Sequence, residues 1–363
     1  MVEARVVWDE GTAYDLFISL DVLHRPAEFD VRGIWAAGVR ARMPLQHRQM
    51  LEQSVLLFPG LPFPWLYSLP QPKDGSTALW ALRQIPPAER LPELVLNQFW
   101  PQDYKQILTD VSRRGSWREE EREELAGILR RSYRDECRKV PSQQELGMIL
   151  DWWSRPDEFG ERYLEALSVY HDVFFSQEER RIHPALQQGL AHAKARAEEL
   201  SLADLLEELT QGVRFEELPT KGEVVLVPSF WCTPLVYFGQ IDEMRSIYLY
   251  GARPSDASLA PGEMVPDALL RALKALSDST RLQILQYLAE QPLSPTQLSH
   301  RLRLRVPTVV HHLGVLRLAG LVRLTVGEEA VTKNYAFRPE GIEAANIWLN
   351  HYLGRGDNEQ GQS

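Results

Sequence analysis

The chain has 363 residues, 44% of them apolar and 25% charged, which suits a globular protein too long for one typical domain. No apolar run reaches the ~18 residues of a membrane span. The start, Met1 to Gly11, carries Glu3, Asp9 and Glu10 and no apolar stretch behind a basic end, which excludes a secretory signal and predicts a cytoplasmic protein.

Helices broken by Pro and Gly are expected through residue 212. Glu119 to Arg138 is amphipathic, with Leu125, Ile128, Leu129 and Tyr133 on one face and a solvated run of charges, Glu119 to Glu124, on the other. Tyr163, Leu164, Leu167, Tyr170 and Phe174 make a second stripe, and residues 186–200 and 202–210 two more helices. Three short β-branched or aromatic runs follow, at 223–228, 235–238 and 245–250, and are expected as strands. Residues 251–262 are rich in Ser, Pro, Ala and Gly, as a linker would be, and residues 354–363 are polar, as in a disordered tail. Nine of the ten tryptophans precede residue 232, in clusters that fit either a core or an aromatic pocket.

Two cysteines, Cys137 and Cys232, stand far apart in apolar surroundings and read as buried, reduced side chains. A thiol metal site needs more sulfur than this. His171, His183 and His192 are spaced twelve and nine apart, not the four that puts two ligands on one helical face. No nucleophile elbow, His-Glu-x-x-His, Gly-Lys-Ser/Thr or Gly-rich dinucleotide loop occurs, so neither an enzyme nor a cofactor is expected.

The net charge of −10 argues against a nucleic-acid partner until its distribution is read. Between residues 266 and 352 ten Lys/Arg stand against seven Asp/Glu, and between Arg301 and Arg338 seven against two, while residues 1–265 carry −12. A basic end on an acidic protein is the footprint of a DNA-contacting module. Its helices are punctuated clearly. Asp267 to Leu276 is a first helix, and Asp278 caps a second with Leu282, Leu285 and Leu288. Ser294 caps a third, with Pro295 at its first position and Leu298 and Leu302 inward. A fourth starts near Pro307, where Val309, Leu313 and Leu316 lie within about 60° of one another at ~100° per residue. Gly320 closes it; residues 321–326 and 331–337 form a hairpin, and Pro339 opens a last helix. A short helix with one buried stripe, small polar residues outside and arginines at its start fits the major groove.

The runs Leu276-Ser-Asp-Ser-Thr-Arg-Leu-Gln-Ile-Leu285, Leu293-Ser-Pro-Thr-Gln-Leu298 and Pro307-Thr-Val-Val-His-His-Leu-Gly-Val-Leu-Arg-Leu-Ala-Gly-Leu-Val322 resemble the ArsR-type winged-helix repressors. Upstream, Arg181-Ile-His-Pro-Ala-Leu186 and Glu223-Val-Val-Leu-Val-Pro-Ser229 resemble the poorly characterised helical domain of some long members. The resemblance implies a homodimer paired through the first and last helices of the module, here through Leu269, Leu273, Leu276, Ile342 and Leu349. Metal-sensing members carry a cysteine pair at the start of the third helix; residues 293–298 have none, which removes a heavy-metal response there. Val310 replaces the usual polar residue before the paired histidines, and the wing tip carries Glu328 and Glu329, which would repel phosphates.

The expected fold is mainly α (α+β). A helical sensor or interaction domain with a small β element spans 1–250, a linker 251–265, a winged helix-turn-helix 266–352 and a disordered tail 353–363. The expected DNA contacts are Arg303, Arg305, Pro307, Thr308, Val310, His311, His312, Arg317, Arg323 and Lys333, with His312 partly packed. The expected function is a ligand- or partner-responsive, homodimeric DNA-binding repressor on the nucleoid, with an apolar or aromatic effector and no membrane or metal partner. Two other readings stay open: a catalytic domain tethered to DNA, and an interaction protein that uses the winged helix for dimerisation. The basic cluster at 301–338 argues against the latter.

Overall fold

The run Glu223-Val-Val-Leu-Val-Pro-Ser229 has no polar face, as expected of a strand covered on both sides. The computed structural model, which describes residues 4–29, 31–58, 60–133, 140–216, 218–219, 221–326 and 334–354, places it at the centre of a sheet. Cys137, Lys333, Glu328, Glu329 and the tail from residue 355 lie outside the described residues.

The amino-terminal body begins with β1 (Arg5–Trp8) and a helical array. Its helices are α1 (Thr12–His24), α2 (Gly33–Arg40), α3 (Leu45–Leu57), α4 (Phe63–Ser68), α5 (Gly75–Gln84) and α6 (Pro87–Val95). They continue with α7 (Gln102–Arg114), α8 (Glu119–Ser132), α9 (Gln143–Trp153), α10 (Pro156–Tyr170), α11 (Ser176–Ala197) and α12 (Leu202–Leu209). A π-helical turn, His171–Phe175, joins α10 to α11, so the aromatic stripe expected around Tyr163 runs without a break into the next helix. Then come β2 (Val213–Phe215), β3 (Glu223–Ser229), β4 (Tyr237–Asp242) and β5 (Arg245–Gly251). The order in the main sheet is β1-β3-β5-β4, with β1 and β5 parallel to β3 and β4 antiparallel to β5.

Strand period then divides the core. Val225, Val227, Ile247 and Leu249 face the large helical cluster, whereas Val224, Leu226, Tyr248 and Tyr250 face α11, α12 and β2. The carboxy-terminal end of β3 is held by Asp15 of α1. Its carboxylate, fully buried, accepts from the Ser229 hydroxyl (2.6 Å) and from the amides of Trp231 (2.9 Å) and Phe230 (3.2 Å). Burial pushes this carboxyl up to about 6, against the lowering effect of those three donors.

The expected linker is not a free tether. Ala252, Arg253, Ser258 and Leu259 are buried. Arg253 donates to the Thr233 carbonyl (2.7 Å) and lies over the Phe230 ring, while Arg181 donates to the carbonyls of Ser258 (3.1 Å) and Leu259 (3.0 Å). Small and polar residues suggest slack, but Arg181 satisfies two of the segment's carbonyls and the segment's own Arg253 anchors it to the Thr233 carbonyl of the body.

The carboxy-terminal module comprises α13 (Asp267–Leu276), α14 (Ser279–Glu290), α15 (Pro295–Leu302), α16 (Val306–Leu318), β6 (Val322–Val326), β7 (Asn334–Phe337) and α17 (Pro339–Tyr352). The chain is thus mainly helical with a few strands. Asp278 accepts from the Arg281 amide (3.0 Å), and Ser294 forms a capping box with Gln297. Gly320 ends α16 at φ 68°, and Gly341 of α17 packs so closely on it that a Cβ would lie 2.2 Å from the Gly320 oxygen. Among the described residues no helix is long and apolar enough to cross a membrane.

Asp15→Ala leaves three buried donors without an acceptor and should cost about 3 kcal/mol or more in urea denaturation. The folded carboxyl sits above its unfolded value of ~3.9. Its contribution is therefore fully present below that value and is lost as pH rises through about 6. The deficit of the variant should be larger at pH 5 than at pH 8; equal deficits would show that Asp15 does not titrate on folding.

Candidate nucleic-acid interface

In α16 the 3.6-residue period buries Val309, Leu313 and Leu316 against α14 and α15. The opposite arc is open: Val306, Pro307, Thr308, Val310, His311 and Gly314 are exposed, as are Arg303 and Arg305 just before it. Arg303 occupies the turn between α15 and α16 with φ 55°, a left-handed conformation that costs an L-residue about 1–2 kcal/mol. His312 is half-buried beside the start of α14. Burial holds its ring below the ordinary histidine value, with Asp278 opposing, and its Nδ1 has no partner among the described residues. The exposed arc therefore presents two guanidinium groups, a hydroxyl, an imidazole and a valine methyl surface, which is a groove-reading set.

Two of the expected contacts are placed elsewhere. Arg317 is buried, donating to the carbonyls of Thr210 (2.8 Å) and Gln211 (3.4 Å) in the turn between α12 and β2. Burial, reinforced by Arg338, pushes its guanidinium down to about 10. Arg317 follows Leu313 by four residues, about 40° further round the helix, so the periodicity already sets it at the rim of the buried stripe. Arg323 of β6 pairs with Glu207 of α12, which also holds Arg214 (3.1 Å). Neither arginine is offered to a phosphate. Lys333 lies outside the described residues.

Both arginines are diverted by β2, a strand too short to show a period in the sequence. β2 pairs in parallel with β6, in the register Val213↔Leu324, Arg214↔Thr325 and Phe215↔Val326, giving a wing sheet of order β2-β6-β7. The Leu324 amide donates to the Gly212 carbonyl and the Glu216 amide to that of Val326, each at 2.8 Å. Glu207, Thr210 and Gln211 thus join the functional region. The only signal for them in the chain is the short Gln211-Gly-Val-Arg-Phe215 stretch, a turn followed by three alternating residues.

The proposed dimer residues divide as well. Leu269 is buried at 1% exposure within the protomer, and Ile342 is half-buried against the module core. Leu276 and Leu349 are half-buried, while Leu273 (41%) and Ile347 (66%) are exposed on the paired helices α13 and α17. Burial takes Leu269 out of any surface between copies.

Arg317→Ala should lower stability by about 2–3 kcal/mol, because two carbonyls lose a charged donor. It should leave the slope of duplex binding against salt as in the native chain. Unchanged stability with a slope smaller by about one unit would return Arg317 to a phosphate contact.

The family model described as bacterial regulatory protein, arsR family, matches residues 278–323, from the Asp278 cap through α14, α15 and α16 into β6. No curated protein and no solved structure matches the chain. The helices, caps and exposed arc fall within or beside that span, so the carboxy-terminal module is an ArsR-type helix-turn-helix and the chain a DNA-binding transcription regulator.

Proposed function

We propose that the protein is a cytoplasmic, nucleoid-associated repressor that binds double-stranded DNA as a homodimer and is released by a ligand or partner of its amino-terminal body. The body has a sensing role in this reading, not a catalytic one, and uses no metal or cofactor. The observation that carries it is the insertion of β2 into the wing sheet, with Arg317 seated on the α12–β2 turn. A regulator needs an element whose position both the effector and the DNA surface depend on. The α12–β2 segment belongs to the body by its packing on Tyr248 and to the module by its pairing with β6.

Binding to operator and random duplexes, followed by fluorescence anisotropy over a range of salt, tests the interface. Thr308→Ala with His311→Ala should remove most of the preference for operator while leaving random-duplex binding nearly unchanged. Arg303→Ala with Arg305→Ala should weaken both and flatten the salt slope by about two units. Equal loss on both duplexes from the first pair would show that Thr308 and His311 do not read bases.

Two recognition helices on a two-fold axis would meet an inverted repeat with half-sites about one helical turn apart. Leu273→Glu with Ile347→Glu should convert a dimer to a monomer in sedimentation at micromolar concentration. A native chain that is wholly monomeric there, yet binds DNA, ends the dimer reading.

A further inference from the structure

The exposed arc of α16 is poor in the side chains that identify most bases. Paired hydrogen bonds pick out guanine through Arg or Lys, adenine through Asn or Gln, and cytosine through Asp or Glu. Of these types α16 carries only Arg317, which is buried. Val306 (38% exposed) and Val310 (47%) stand open instead. They and Gly314, also exposed, follow one another at intervals of four residues, each about 40° further round the helix. The three form one apolar ridge beside Pro307 and His311.

Packing within the chain does not account for that ridge. Neither valine belongs to the core of the module, and alanine would serve the helix better at both places. A Cβ at Gly314 would meet no atom within 4 Å, so the fold leaves room for a side chain although glycine weakens a helix. A side chain missing where the fold has space for one suits a helix that an outside surface approaches closely. Duplex DNA is that surface, since the family match covers α16 and Arg303 and Arg305 stand exposed just before it. On the base edges of the major groove the apolar group is the C5-methyl of thymine. A valine set against any other edge strips water from a donor or acceptor and returns nothing. Against that methyl it buries apolar surface on both sides.

We propose that the ridge of Val306, Val310 and Gly314 reads thymine through its methyl group, with Gly314 letting the helix lie close to the duplex. The assignment rests on α16 as the DNA-reading helix and adds the base that it selects. Four residues of helix rise about 6 Å, close to two base-pair steps of ~3.4 Å, so the two valines reach thymines about two steps apart. Thr308 and His311, further round the arc, are left to hydrogen-bond neighbouring edges.

The test uses the full chain and a duplex that it selects from a randomised pool. Uracil then replaces one thymine at a time, which removes the methyl group and keeps every hydrogen-bonding atom of the base. Uracil should weaken binding about fourfold at each of two positions, the worth of one buried carbon group, and change little elsewhere. Val310→Ala should abolish the uracil effect at one of those positions and Val306→Ala at the other. Both variants should melt no lower than the native chain, because the side chains are exposed and alanine favours a helix. Gly314→Ala should raise the melting temperature yet weaken binding about tenfold, since the methyl group fits the free chain and not the complex. A selected duplex without thymine, thymines that all tolerate uracil, or uracil effects that persist in both alanine variants overturn the base assignment. Gly314→Ala that binds as native, or that melts lower, overturns the close approach. Failure of the native chain to select any sequence would instead overturn the reading of α16 as the helix that reads DNA.

Discussion

The guanidinium of Arg317 is the contact on which the arrangement of the two halves depends. Taking such a charge out of water costs several kcal/mol, and only well-placed acceptors offset it. The acceptors here are the backbone carbonyls of Thr210 and Gln211, which belong to the body, while the charge belongs to the recognition helix. The turn that presents them is itself unusual: Gln211 (φ 54°) and Gly212 (φ 100°) are both left-handed. Only Gly212 takes that conformation freely, so Gln211 holds it at a cost that the surrounding contacts must balance. Shifting the turn would strand a buried charge and open the β2–β6 ladder together. Helix α16, the wing and the α12–β2 turn therefore behave as one body.

That unit is attached to the rest of the amino-terminal body by aromatic packing, not by a flexible connection. Phe215 sits edge-on to both Phe238 of β4 and Tyr248 of β5, at 5.3 and 5.0 Å. The opposite face of β5, through Ile247 and Leu249, enters the large helical core. Packed layers respond to a displaced wall by changing arrangement and not by yielding smoothly. β2 is the element best suited to such a change. It is three residues long, so its ladder has few bonds to lose, yet its neighbours include both the amino-terminal body and the carboxy-terminal module.

The winged module was legible in the sequence because its determinants are local. Caps at Asp278 and Ser294, proline at a first helical turn, the Gly320 stop and the Val309, Leu313, Leu316 stripe each act within one or two turns of helix. The strands at 223–229 and 245–251 were legible for a related reason, since burial on both faces leaves an uninterrupted apolar run. What could not be read was pairing at a distance. β1 lies beside β3 in parallel, Arg5 opposite Glu223, and β2 lies beside β6, Val213 opposite Leu324. Parallel pairing leaves no turn signature, and strands of three or four residues are too short to show a period. The two misplaced arginines follow from that gap. Basic residues near a recognition helix suit phosphates until a partner such as Glu207 or a carbonyl-lined turn is known to be there.

Removing Arg317 and Arg323 from the DNA surface changes the electrostatic account of binding. Among the described residues Arg301, Arg303 and Arg305 stand exposed ahead of the recognition helix, while residues 1–265 carry a net charge of −12. Each cation diverted from the duplex lowers the expected salt slope by about one unit. The acidic body repels phosphates over roughly a Debye length, ~8 Å at physiological ionic strength. Attraction at one end and repulsion behind it orient the protein before contact, with the recognition arc leading. Diverting Arg317 and Arg323 to the body thus ties the electrostatics of the recognition helix and the wing to the packing of the α12–β2 turn.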